Sequence, residues 1–83
     1  MIDLGDPMDT LDRIVIDPLV MGGRPCVRGT RVTVGTLVGL LAAGHDIPRL
    51  LDLYPYISES DVRQALAYAA WRTEEQELPL VLA

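Results

Sequence analysis

The stretch Met21 to Val34, MGGRPCVRGTRVTV, constrains the fold more than any other part of this chain. It closes an extended, turn-rich beginning and hands over to a helical pattern. Two short extended pieces, Arg24 to Arg28 and Arg31 to Thr33, flank Gly29 and Thr30. A two-residue loop with glycine first matches a type II′ hairpin turn, whose first central position needs a positive φ. In that register Val27 faces Val32, and Arg28 and Arg31 flank the turn on one side, since opposed residues share a face. Like charges placed so destabilise by a few tenths up to about 1 kcal/mol unless an anion lies between them. That anion is either a nucleic-acid phosphate or a carboxylate, from Asp17, Asp46, Asp52 or a partner chain.

Upstream, Met1 to Leu11 has no sustained period and carries Gly5 and Pro7, as expected of a flexible lead-in over residues 1–11. Arg13 to Asp17, RIVID, alternates with Ile14 and Ile16 on one face, which suits a short strand ended by Pro18. Leu19 to Gly23 then forms an apolar corner.

Downstream, Val34, Leu37, Val38 and Leu41 repeat at helical spacing, with Thr33 as N-cap and Gly44 as the C′ residue. Asp46 caps a shorter helix that tolerates Pro48 in its first turn, presents Leu50, Leu51 and Tyr54, and stops at Pro55. Ser58 and Asp61 resemble a capping box opening the longest helix, about Glu59 to Glu75, with Val62, Ala65, Leu66 and Ala69 as its apolar stripe. The expected class is therefore mainly α: three helices with a short N-terminal β element, a single domain over residues 12–75. An apolar tail follows over residues 76–83. Three helices joined by short turns also suit a helix-turn-helix, whose third helix would enter a major groove.

Charge narrows the function. The chain has 83 residues and a net charge of -5, so its overall field repels phosphate and anionic membrane. Arg13 to Val34 holds four arginines and one acid, giving +3, so the remainder sums to -8 and any basic function is confined to this block. Apolar residues make up 49% of the chain, high for a small monomer, and a second copy would cover part of that surface. Cys26 is the lone cysteine and His45 the lone histidine, which exclude an internal disulfide and a zinc site and favour a reducing cytoplasm. The longest mostly apolar run, Val32 to Gly44, is too short to span a bilayer. Met1 to Leu11 has three aspartates and no basic residue, unlike a signal peptide. No catalytic set, phosphate-binding loop or cofactor motif is present, so the expectation is a non-enzyme with no cofactor and no metal.

The candidate DNA contacts are Arg13, Arg24, Arg28 and Arg31 from the basic block, with Ser60, Arg63 and Gln64 from the first turns of the third helix. Glu59 and Asp61 weigh against that helix as a reading element, because they favour the positive helix N-terminus and repel phosphate. The candidate partner contacts are Tyr68 and Trp71 with Leu78, Leu80, Val81 and Leu82 of the LPLVLA tail, which has nothing left in its own chain to bury against.

RIVIDPLVMGGRPCVRGTRVTVGTLVGLLAAG, followed by LYPYIS and DVRQALAYAA, resembles the small bacterial and archaeal proteins of domain of unknown function 433. The resemblance covers Arg13 to about Arg72, with Thr33 standing where the pattern usually has proline. It implies a homeodomain-like helix-turn-helix with an N-terminal β element, usually a homodimer. It also implies a likeness to VapB-type antitoxins, which are often paired with a PIN-like ribonuclease toxin; the arginine block adds the expectation that such an antitoxin binds its own operator DNA. A stand-alone DNA-binding regulator and a structural dimeric scaffold are the other two readings.

Overall fold

A computed structural model of the chain describes residues 11–74; the tail expected over 76–83 and all but the last residue of the lead-in lie outside them. Leu11 is already part of the core, and its carbonyl accepts from Ile14 N at 3.1 Å. The elements are β1 (Ile14–Ile16), β2 (Pro25–Val27), α1 (Val34–Ala42), α2 (Ile47–Leu53) and α3 (Glu59–Glu74). The fold is thus mainly α, three helices with a two-stranded antiparallel sheet before them, as the periodicity indicated.

The expected hairpin keeps its register, Val27 beside Val32, but is short, and the sheet is built mainly on the other edge of β2. β2 pairs with β1, in the register Ile14 with Val27, Val15 with Cys26 and Ile16 with Pro25. The limb Arg31–Thr33 supplies only a bridge, Cys26 to Thr33, beside a bond from Val27 N to Val32 O of 2.9 Å. Gly29 also occupies another place than a type II′ loop requires. The turn is Val27 to Thr30, closed by Thr30 N donating to Val27 O at 3.0 Å. Gly29 is third of its four residues with φ +79°, the position where a type II turn needs a left-handed conformation. The physical reason for the further pairing with β1 is burial. Pairing β1 with β2 places Ile14 opposite Val27, and both side chains enter the core.

Each helix begins where a short side chain satisfies a free N–H. Thr33 Oγ1 accepts from Thr36 N at 3.0 Å, Asp46 Oδ1 accepts from Arg49 N at 3.0 Å, and Ser58 Oγ accepts from Asp61 N at 3.2 Å. Asp61 returns the favour by accepting from Ser58 N at 2.9 Å, completing the capping box. Gly44 follows the α1 C-cap Ala43, and its φ of +103° turns the chain toward α2.

The core lies where α1, α3 and the sheet meet, with α2 closing one side. Leu37 of α1, Leu50 of α2, and Val62 and Ala65 of α3 are fully buried there with Ile14 and Val27. The small Ala65 lets α1 approach α3 closely. Tyr68 is 8% exposed and belongs to this core, with Trp71 packed against its edge.

Candidate functional site

The turn Val27–Thr30 is held by its own threonine. Thr30 Oγ1 donates to Val27 O at 2.8 Å and accepts from Val32 N at 2.9 Å, bonds that brace the turn from within. Arg28 N donates to Arg13 O at 2.7 Å, and the Arg28 guanidinium Nε donates to Asp12 O at 2.7 Å. The loop is thereby tied to β1, and its outer face is left to Arg28 and Arg31, both exposed.

These two arginines line one open depression of about 680 Å³ together with Val15, Asp17, Val20 and Tyr56. The structure therefore brings Arg28 and Arg31 to one side, as argued from sequence, but through a four-residue loop rather than as opposed strand residues. Arg24 is separate. It borders a second hollow of about 430 Å³ beside Pro25, Thr33 and the first turn of α1. Among the described residues no carboxylate lies within ion-pair distance of Arg24, Arg28 or Arg31.

Of the remaining DNA candidates, Arg13, Arg63 and Gln64 are engaged within the fold. Arg13 Nε donates to Asp61 Oδ1 at 2.8 Å, and Arg13 N donates to Gln64 Oε1 at 2.9 Å. Gln64 Nε2 donates in turn to Asp12 Oδ1 at 3.2 Å. Arg63 holds Glu59 Oε2 through two bonds, of 2.7 and 3.1 Å, on the exposed face of α3. Ser60 is exposed one residue ahead of Asp61. Burial alone would push the Asp61 carboxyl up. Hydrogen bonds from Arg13 and Ser58, with the Arg13 charge, outweigh it and hold the group below the ordinary aspartate range. The same hydrogen bond and the charge of Asp61 raise Arg13.

Of the partner candidates, Tyr68 faces inward, with its ring centroid 5.8 Å from that of Trp71. Trp71 is half-buried beneath the Arg72 guanidinium, 5.6 Å from its ring. Leu78, Leu80, Val81 and Leu82 lie outside the described residues. Cys26 is buried, its Sγ 3.3 Å from Arg24 O, and burial pushes the thiol up despite the nearby Arg24 charge. His45 is an exposed turn residue. Among the described residues no three His, Cys, Asp or Glu side chains gather into a metal-sized cluster, and no helix is long and apolar enough to cross a membrane.

Three exposed apolar residues near the arginine loop had no sequence signal as a group. Ile16 is 52% exposed, Leu19 92% and Tyr56 64%. Only the Asp17-Pro18-Leu19 turn chemistry hinted that Leu19 would be held outward.

The comparisons agree with this geometry. The family model described as a protein of unknown function, DUF433, matches residues 14–69, from the first strand residue to the last turns of α3. An uncharacterized protein of Sinorhizobium fredii, y4eO, is 39% identical over 56 residues, which is 68% of this chain. The chain spans only about a quarter of that relative, 25% of its length. A crystal structure of a DUF433 member from Anabaena variabilis superposes with a TM-score of 0.69 at 31% identity, over 92% of this chain and 75% of that one. With two thirds of its residues matched and its fold shared, this chain belongs to the DUF433 family.

Proposed function

We propose that this chain is an antitoxin-like, non-catalytic interaction protein that acts in the cytoplasm as a homodimer, neutralises a PIN-like ribonuclease toxin and binds its own operator DNA. One observation carries the reading. Arg24, Arg28 and Arg31 stand exposed on one short segment of an acidic protein, outside every ion pair among the described residues. Arg49 and Arg72 are exposed and outside those pairs too, but singly on α2 and α3, so the exposed cations cluster only on the segment from Arg24 to Arg31, which thereby faces an anion. A two-stranded ribbon of this size fits a major groove, and guanidiniums suit phosphate oxygens. α3 takes the lesser part in DNA contact, since Arg63 and Gln64 are engaged by Glu59 and Asp12. The toxin-facing surface is assigned to Trp71 and the apolar tail, with Tyr68 supporting Trp71 from the core.

The test has two arms. Co-expression with the product of the neighbouring gene should give a stable complex that loses neutralisation when residues 77–83 are removed; unchanged neutralisation would remove the tail assignment. Operator binding should weaken with salt at a slope of about -3.6 in logarithmic terms if roughly four arginines per dimer meet phosphates. Arg24→Ala with Arg28→Ala should flatten that slope.

A second reading is a stand-alone DNA-binding regulator. It is favoured by the connectivity of α2, a short turn and α3, which is that of a helix-turn-helix. DNA binding with full arginine dependence but no complex with the neighbouring gene product would select it.

A further inference from the structure

The depression beside the arginine loop carries charges of both signs and a greasy floor, which a nucleic-acid phosphate does not match. Arg28 and Arg31 line it, but so does Asp17, and Val15, Val20 and Tyr56 supply the apolar part. Asp17 lies outside ion-pair distance of either arginine, so cation and anion share one hollow unpaired. Arg28 is partly committed through its bond to Asp12 O, whereas Arg31 makes no side-chain hydrogen bond to another described residue. Arg31 is the freer cation.

Next to this hollow, the corner after β1 holds Leu19 outward. Leu19 N donates to Asp17 Oδ1 at 2.9 Å, Val20 N donates to Asp17 O at 2.9 Å, and Gly23 N donates to Val20 O at 3.0 Å. The corner closes through three successive left-handed residues, Met21 at φ +50°, Gly22 at +68° and Gly23 at +85°. A methionine rarely takes that conformation, so the chain spends backbone strain to keep the corner tight. The outcome is a fixed apolar knob, Leu19 at 92% exposure, two residues from a carboxylate.

An occupant that fits the hollow must bring an apolar side chain for Val15, Val20 and Tyr56 and a carboxylate for Arg31. Asp17 and Leu19 of the same surface offer that pair. A surface that supplies its own complement is the requirement for an isologous twofold contact, in which residue i meets residue j and j meets i. We infer that the hollow between Asp17, Arg31 and Tyr56 receives Leu19 of a second copy of this chain, with Asp17 of each copy against Arg31 of the other. The inference rests on the reading of this chain as a dimeric interaction protein and names the surface that makes the dimer. It leaves Arg24 and Arg28 as the cations facing outward.

Charge reversal tests it on the full chain by light scattering coupled to size exclusion, with circular dichroism as the check that each variant is folded. The wild type should run at twice the 9.1 kDa chain mass. Leu19→Asp, Asp17→Arg and Arg31→Asp, all at exposed positions, should each weaken the dimer roughly thirtyfold or more, as loss of a central interface anchor does. Mixing Asp17→Arg with Arg31→Asp should restore a dimer, because both contacts of the mixed pair are then oppositely charged. A monomeric wild type, a dimer indifferent to these reversals, or a mixture that stays monomeric would each overturn the inference. Operator binding read separately by its salt slope tells this failure from failure of the DNA reading.

Discussion

Arg13 and Asp61 lie 48 residues apart in sequence and meet at 2.8 Å, fastening β1 to the first turn of α3. Asp61 is only 3% exposed and has two duties there, since it also closes the capping box with Ser58. One carboxylate thus starts the longest helix and holds it to the sheet.

Asp61→Ala should therefore destabilise the fold by about 2–3 kcal/mol, more than loss of a cap alone, because Ser58 N and the Arg13 guanidinium lose an acceptor together. Asp61→Asn keeps an acceptor oxygen for the cap and should lose about half as much. Urea unfolding of the two variants against the wild type measures the difference.

The same residue sets a pH dependence at the acid end. Its folded carboxyl is held below the ordinary aspartate value of about 3.9, so in that range the unfolded chain binds more protons and stability rises with pH. The contribution is complete above the unfolded value and disappears as pH falls through the folded one. Stability measured from neutral pH downward should show the gap between wild type and Asp61→Asn constant until about pH 4 and closing below it. A gap that stayed constant to the lowest pH would contradict the ion pair.

Two leucines should respond in opposite ways. Leu37 is fully buried between α1 and α3, and Leu37→Ala should cost about 3 kcal/mol. Leu19 projects into solvent, and Leu19→Ser should shift the stability of the monomeric fold by less than about 0.5 kcal/mol. Thermal unfolding of dilute samples of each variant against the wild type makes the comparison.

Two glycines should likewise diverge. At Gly29 a Cβ meets nothing within 4 Å, so Gly29→Ala tests the backbone alone, and its φ of +79° predicts a loss of about 1–2 kcal/mol. Gly39, exposed in α1 with equally free space and no positive φ, predicts a gain of about 0.5–1 kcal/mol on substitution by alanine. Denaturation midpoints of the two variants should move in opposite directions.

The candidate site was legible in part. Arg28 and Arg31 could be assigned to one side of one turn because they flank Gly29 and Thr30 directly. Asp17 stands among the nearby carboxylates that could answer them, but Val15 and Tyr56 carry no local signal, since Tyr56, between α2 and α3, reaches the hollow only once α3 packs on β1. The engagement of Arg13 and Gln64 was hidden for the same reason. Nothing near Arg13 in the chain announces a carboxylate from residue 61.

By itself the sequence determined the three helices and their starting points. Helical period and N-caps act within four residues, so Thr33, Asp46 and the Ser58–Asp61 box announce their helices without reference to the rest of the chain. Only the tertiary structure decided which neighbour would take the second edge of β2. A short strand has two edges with separate N–H and C=O groups, and the nearby limb Arg31–Thr33 engages one of them through the Cys26–Thr33 bridge. β1 takes the other because that register buries Ile14 with Val27 against α1 and α3, a gain that exists only once the helices are in place.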